Sequence, residues 1–297
     1  MEYFSDQEHG QISRTIEIIS SQVWDGIVAL VETLITKGAF GNSFPNECPD
    51  GNAIIGTERQ ILKDTVKAEI PNIEWPLNRV NNSSSNNDIV IPDTLIALDL
   101  IQFCYKYVSK PETIEGSWHN YYNHYHLSFD KDAGEDKFRE QINMIFSRNG
   151  MAYELKWDGN IERLVPPVLR EQLASDIFNT GDNTLDSILN DARRKFLNPD
   201  IKIRKEALDK LWDSWERLKT IVDPTNKKGS INRLLEKTSS ENNFRSLLDD
   251  EAKKLTEIGN KFHIRHSEIN QIEIQDSAHI DYLFHRMWCM IYLLLKK

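Results

Sequence analysis

Residues 200–220 read DIKIRKEALDKLWDSWERLKT, and this stretch is the clearest indicator of the fold. Its apolar residues recur every three or four positions, which places them on one broad stripe of an α-helix. The stripe consists of Ile203, Ala207, Leu208, Leu211, Trp212, Trp215 and Leu218. Because a helix of this kind must bury its stripe against other helices, the stretch predicts a helical bundle.

The same helical periodicity recurs on both sides of this stretch, up to the last residues of the sequence. Asp182 or Asn183 is a suitable N-cap for the helix that precedes it. We therefore predict a bundle formed by residues 183–297. The other helices predicted in this half cover 168–178, 183–197, 241–262 and 277–295.

The first half is predicted to be helical with one small β-hairpin. Asp158-Gly159 lies between two alternating segments, which predicts a hairpin over 152–164. Pro166-Pro167 follows, so we place the domain boundary there and predict domains 1–165 and 166–297. The fold class is thus mainly α. Helices are predicted over 14–37, 57–69, 93–108 and 135–149, with a loop at 38–56 and a flexible polar loop at 78–87.

Composition narrows the protein class. The three cysteines (Cys48, Cys104 and Cys289) are scattered and form no CxxC pair, which argues against a disulfide framework or a zinc finger. The N-terminus lacks the pattern of a signal peptide, and the longest apolar segments contain charges. We therefore expect a cytoplasmic protein with no membrane association. Motifs for nucleotide hydrolysis, dinucleotide binding and serine esterase chemistry are absent from the sequence, and no cofactor is expected.

The net charge of −10 is unevenly distributed. Residues 1–164 contain 14 Lys and Arg against 25 Asp and Glu, a balance of −11, whereas residues 165–297 contain 22 against 21, a balance of +1. The second half is therefore the better candidate for contact with phosphates, through residues 193–195 and 202–205. The alternative is that these cations simply form solvated helix faces.

Residues 259–268 read GNKFHIRHSE and combine an amide, a guanidinium, two imidazoles and a carboxylate. Arginine can neutralise a phosphate, and histidine can exchange a proton near neutral pH. These groups suit a metal-independent RNA-cleaving site, although other sites use them too. In the alternative interpretation, Arg265 and Glu268 brace the helix end while His263 packs against the bundle.

Several segments carry a resemblance to a known family. Residues 146–155 (FSRNGMAYEL), with their hairpin, resemble the end of the N-terminal domain of AbiJ-type abortive-infection proteins. Residues 208–219, 262–268 and 279–286 resemble the C-terminal half of those proteins, which is similar to HEPN domains. HEPN domains are helical bundles found in RNases, toxins and antiphage systems, so the resemblance implies a HEPN-like bundle in residues 166–297.

The HEPN resemblance also implies site residues. HEPN RNases usually carry Arg, a polar residue, four to six further positions, and then His. Arg265 and His266 fit the opening of this pattern, but residues 271–273 contain no His. Either His266 or His263 substitutes, or the domain only binds. The implied catalytic residues are Arg265, His266 and His263, and the implied substrate-binding residues are Asn260, Lys261 and Glu268.

The function implied is that of an antiphage effector that senses infection through its first half and cuts RNA with its second. The alternative is a catalytically inactive binding or dimerisation module acting as a sensor or scaffold. RNA and a phage-derived trigger or partner protein are the expected partners. A homodimer through the C-terminal bundle would place two Arg265–His266 pairs across one cleft. Its contact is expected on the last helix, which could instead be buried in its own subunit. The candidate contact residues are His285, Met287, Trp288 and Tyr292.

A second cluster, residues 118–126 (WHNYYNHYH), combines His119, His124 and His126 with four aromatic residues. His124 and His126 would share one face of a strand, so a zinc site is conceivable. Since no acidic or cysteine ligand is near in sequence, we expect no metal here. A packed loop, or a surface for a partner or ligand, is the alternative.

Overall fold

The structure is a computed structural model that describes residues 3–10, 12–51, 53–77, 91–165, 173, 179–262, 264 and 272–295. The chain divides into two compact units, Met1–Leu164 and Val165–Lys297. The described residues are mainly helical, as predicted, with three small two-stranded sheets. None of the helices in these ranges is long and apolar enough to cross a membrane.

The first unit contains five described helices and six strands. The helices are α1 (Phe4–His9), α2 (Ser21–Thr36), α3 (Arg59–Glu69), α4 (Thr94–Tyr107) and α5 (Lys131–Arg148). The strands are β1 (Pro45–Glu47), β2 (Ile54–Thr57), β3 (Lys110–Thr113), β4 (Leu127–Asp130), β5 (Tyr153–Leu155) and β6 (Ile161–Arg163). They pair as the antiparallel hairpins β1–β2, β3–β4 and β5–β6.

The core of the first unit forms where α2, α4 and α5 bury their apolar faces. Residue Ile27 of α2, Ile101 of α4 and Ile142 of α5 are completely buried. The predicted hairpin is confirmed as β5–β6, and Gly159 adopts a φ of +81° in its turn. A side chain at Gly159 would also meet the ring of Tyr105 at 2.8 Å, so this position requires glycine for two reasons.

Two predictions for the first unit were wrong. The helix predicted from residue 14 begins only at Ser21, because Ile16 pairs in a parallel β-bridge with Met151 and Ser20 caps the helix. The region predicted as a loop, 38–56, contains β1 and most of β2. The hairpin β3–β4 was not predicted, and residues 78–87 lie outside the described residues.

The second unit is a bundle of five described helices. They are α6 (Asn183–Phe196), α7 (Ile201–Ile221), α8 (Lys227–Thr238), α9 (Asn242–Lys261) and α10 (Ser277–Leu295). α7 is central and packs against α6, α8 and α10. Its Trp212 and Trp215 are each only 1% exposed, which confirms the stripe seen in the sequence. α8 was not predicted, and the helix predicted over 168–178 lies almost wholly outside the described residues.

Side-chain caps fix where the helices of the bundle begin. Asp182 accepts a hydrogen bond from Leu185 N–H at 2.9 Å, which confirms it as the N-cap of α6. Arg217 of α7 donates two further hydrogen bonds to the same carboxylate, at 2.9 and 2.8 Å. These bonds hold the pKa of Asp182 below its ordinary value, so the ionised cap joins α6 to α7.

Candidate functional site

The predicted RNA site begins at the C-terminal end of α9. Asn260 and Lys261 are the last two residues of this helix, and both are exposed to solvent. They are therefore accessible to a substrate, as their predicted role requires. The other residues predicted for this site lie outside the described part of the chain: His263, Arg265, His266 and Glu268.

The described residues fix both ends of the segment between residues 262 and 272. Phe262 and Ile272 form an isolated parallel β-bridge, and Ile272 N–H donates a hydrogen bond to Lys261 O at 3.2 Å. Ile264 is 2% exposed and belongs to the core of the second unit. The segment thus leaves and rejoins the described fold at one place, beside the end of α9.

The dipole of α9 sets the electrostatics of this place. The C-terminus of a helix carries a partial negative charge, which disfavours a bound phosphate. Lys261 lies in the last turn, where its positive charge offsets the dipole. A phosphate here would therefore depend on cationic side chains rather than on backbone N–H groups.

Trp212 of α7 holds the end of α9 in place. Its indole Nε1–H donates a hydrogen bond to Leu255 O at 3.0 Å. The ring lies so close to α9 that a Cβ on Gly259 would come within 2.3 Å of it. Gly259, the first residue of the conspicuous stretch 259–268, therefore serves close helix packing.

The cations proposed from sequence to meet phosphates are largely occupied in the fold. Arg204 is 1% exposed and donates a hydrogen bond to Ser277 Oγ at 2.8 Å, so it is a structural residue of the core. Lys205 pairs with Glu273 at 2.8 Å, and Arg194 pairs with Asp191 at 2.6 Å. These contacts favour the solvated-helix-face interpretation for most of this set.

A cleft of about 430 Å³ lies between α7, α8 and α9. Its lining includes Lys219, Lys227 and Lys253, together with Asp249 and Glu257. All three lysines have carboxylate partners, so the cleft is close to electrically balanced. An anionic ligand would have to replace these partners.

The contact proposed for a homodimer needs correction. Met287 and Trp288 are 0% and 1% exposed, so both belong to the core of their own subunit. The alternative of a buried closing helix therefore holds for these two residues. The exposed residues of α10 include Tyr282, which is 59% exposed, and Cys289. A dimer through α10 would use this face instead.

The aromatic and histidine cluster of the first unit is assembled by two turns. Residues 48–51 (CPDG) form the turn after β1, with Gly51 N–H donating to Cys48 O at 3.1 Å. His119 and His124 bridge across a second turn, in which Asn123 adopts a φ of +54°. His124 and His126 precede β4, so the prediction that they share a strand was wrong.

The fold supplies the cysteine that is missing from the local sequence. Cys48 Sγ lies 3.3 Å from His124 Nε2, across 76 residues of sequence. One ligand atom from each of Cys48, His124 and His126 lies within 4.8 Å of the others. Cys48 is 5% exposed, whereas both histidines are half-buried. The Pro-Asp-Gly sequence after Cys48 predicts only a turn at this position, so Cys48 was not identified as a site residue from the sequence.

His119 has a different position in this cluster because both of its ring nitrogens are engaged. Its Nε2 lies 2.9 Å from Asp50 Oδ2, and its Nδ1 accepts a hydrogen bond from Tyr122 N–H at 3.3 Å. Through these contacts His119 and Asp50 join the two turns to each other. Burial, reinforced by the charge of Asp50, raises the pKa of the Tyr122 hydroxyl above its ordinary value.

One ring nitrogen of His126, Nε2, is buried and has no hydrogen-bond partner among the described residues. An unpaired buried polar atom costs about 1–3 kcal/mol. Its backbone, by contrast, is fixed: Ser117 Oγ accepts from His126 N–H at 3.0 Å. The ring thus offers a buried nitrogen that has no partner among the described residues.

Comparison with known families assigns the first unit. The family described as AbiJ N-terminal domain 4 matches residues 2–179, more than half of the chain. The chain belongs to this family. No curated protein and no solved structure matches it. The AbiJ domain associates the protein with abortive-infection defence.

The family match covers one of the two candidate sites and not the other. The cluster of Cys48, His124 and His126 lies inside the matched residues and so belongs to the AbiJ domain. Residues 259–268 lie beyond the match. The resemblance of the second unit to HEPN domains rests on the sequence segments alone.

Proposed function

We propose that this AbiJ protein is an abortive-infection effector whose second unit is a HEPN-like bundle that cleaves RNA without a metal ion. The observation that carries the proposal is the place of the segment 262–272. Its ends meet beside Asn260 and Lys261, which are both exposed to solvent and accessible to a substrate.

The chemistry follows from the residue types of the segment. His266 or His263 removes the proton from a ribose 2′-OH, and the 2′ oxygen attacks the adjacent phosphorus. Arg265 stabilises the negative charge that develops on the phosphate oxygens. The bond between phosphorus and the 5′ oxygen breaks as a second proton-transfer group, acting as an acid, protonates that oxygen. The products are a 2′,3′-cyclic phosphate and a 5′-hydroxyl.

Two proton-transfer groups suit this reaction, and a homodimer supplies both from one surface. A two-fold contact near the ends of α9 and α10 would place two copies of Arg265 and His266 along one RNA. Tyr282 and Cys289, on the exposed face of α10, are available for this contact. Sedimentation of the protein with RNA should show a dimer at micromolar concentration. A monomer under these conditions would contradict the model of a composite site.

The test of the activity is cleavage of total RNA by purified protein, with EDTA present to exclude metal-dependent nucleases. Cyclic phosphate ends should appear with the wild type and disappear with Arg265→Ala or His266→Ala. The matched control is His279→Ala, which removes an exposed histidine of α10. If the wild type binds RNA without cutting it, in the presence of phage lysate as a source of the trigger, the domain is a binding module.

A further inference from the structure

We propose that Cys48, His124 and His126 bind a Zn²⁺ ion in the AbiJ domain. Thiolate and imidazole are the ligand types that zinc prefers, and zinc is bound at about 2.3 Å by sulfur and about 2.0–2.1 Å by nitrogen. The site lies in the first unit, so the proposal does not depend on the ribonuclease activity.

The spacing of the ligand atoms fits an ion. In a tetrahedral zinc site the ligand atoms lie about 3.5 Å from one another, as the bond lengths require. Cys48 Sγ and His124 Nε2 are already 3.3 Å apart, and all three ligand atoms lie within 4.8 Å of one another. Closure around zinc therefore needs a shift of about 1 Å by the most distant group.

A simple hydrogen bond between His124 and Cys48 explains less. It would account for the distance of 3.3 Å but leave the buried Nε2 of His126 without a partner among the described residues. A metal ion bound to the lone pair of this nitrogen would supply the partner that it lacks. Cys48 releases its thiol proton to solvent when the ion binds.

Among the described residues the site has three protein ligands, because His119 is already held by Asp50 and by the backbone of Tyr122. This leaves one coordination position for water or another small ligand, the arrangement of an open zinc site. The half-exposed Tyr122 stacks on His124 with ring centroids 6.0 Å apart. Tyr121, which is 81% exposed, stands edge-on to Tyr122. The ion would thus organise an aromatic surface around its open position.

Metal analysis of the protein purified in reducing buffer tests the proposal. Mass spectrometry under native conditions should find about one Zn²⁺ per chain in the wild type. Cys48→Ser, His124→Ala and His126→Ala should each weaken zinc binding by more than the about 10–100-fold loss caused by replacing a residue that is hydrogen-bonded to a zinc ligand. Cys289→Ser and His279→Ala are the matched controls, because both residues are exposed in the second unit. These two variants should keep their zinc.

Cobalt substitution makes the test independent of variants that fail to fold. The wild type loaded with Co²⁺ should show the visible bands of tetrahedral cobalt and a sulfur-to-cobalt charge-transfer band in the near ultraviolet. Loss of that band in Cys48→Ser would identify the thiolate ligand. A wild type that binds no zinc, binds only copper, or gives an octahedral cobalt spectrum without sulfur would overturn the proposal.

Discussion

Replacing Gly259 with alanine should destabilise the second unit, although alanine is the better helix former. An added Cβ would lie 2.3 Å from two atoms of the Trp212 ring, far inside contact distance. The ring cannot move away freely, because Trp212 is 1% exposed and its indole Nε1–H is bonded to Leu255 O. The substitution therefore forces α9 away from α7, the helix that carries Trp212.

The size of the stability loss follows from one stabilising and two destabilising contributions. Alanine in place of glycine favours a helix by about 1 kcal/mol. Overpacking of a filled core costs about 1–3 kcal/mol. If the Trp212 ring shifts and loses its hydrogen bond, the unpaired buried donor costs about 1–3 kcal/mol more. With all three contributions, the free energy of unfolding should fall by about 1–5 kcal/mol.

Hydrogen exchange measured by mass spectrometry on peptides of α9 reads this loss in the second unit alone. Exchange around Leu255 should accelerate in Gly259→Ala. Gly26→Ala is the control, since a Cβ there meets Ile145 at an ordinary 3.8 Å and should leave α2 equally or more stable. In a Trp212→Leu background the penalty of Gly259→Ala should shrink. Unchanged or slower exchange in Gly259→Ala would refute the packing argument.

Three further substitutions have defined outcomes, each measured by chemical or thermal unfolding. Glu251→Gln should lower stability near pH 7 by about 1 kcal/mol, because Arg286 donates hydrogen bonds of 2.6 and 2.9 Å to the carboxylate. Those bonds lower the pKa of Glu251 below 4.5, so their stabilisation is present above that pH. The free energies of unfolding of the variant and the wild type should become equal as acid protonates Glu251. Burial, followed by neighbouring carboxylates, raises the pKa of Asp209 to about 6, so its ionisation disfavours folding as pH rises. Asp209→Asn should stabilise by about 1–2 kcal/mol near pH 7.5 and by little near pH 4; an equal gain at both pH values would contradict this. Gly134→Ala should cost about 3 kcal/mol, because its Cβ would meet the Lys110 backbone N at 2.5 Å, and an unchanged melting temperature would count against it.

Four of the five described helices of the bundle were predictable, because local sequence patterns mark them; α8 was not predicted. The stripe of α7 and the cap at Asp182 are local patterns, and the observed helix Ile201–Ile221 differs by one residue at each end from the predicted one. The hairpin β3–β4 was missed because its pairing joins residues such as Lys110 and Asp130 across a long connection. The false start of α2 has the same cause, since Ile16 pairs with the distant Met151.

The candidate sites were predictable only where chemistry is contiguous in sequence. The stretch 259–268 stood out by composition, yet sequence alone did not reveal that Gly259 serves packing against Trp212. Nor did it reveal that Arg204 is buried, since a charged residue next to lysines looks like a surface group. The contact of Cys48 with His124 depends on two turns meeting in the fold, so no local pattern predicts it.

The most direct test of the central proposal is the single-turnover rate of RNA cleavage by purified protein. The assay uses wild type, Arg265→Ala, His266→Ala and the His279→Ala control. Before the assay, each variant should show the same hydrogen-exchange pattern and the same zinc content as the wild type. Loss of the phosphate-stabilising arginine or of the proton-transfer histidine should slow cleavage by about 100-fold or more, while the control should cleave like the wild type. Equal rates in all four proteins would contradict the proposal, because cleavage would then not depend on the residues assigned to it.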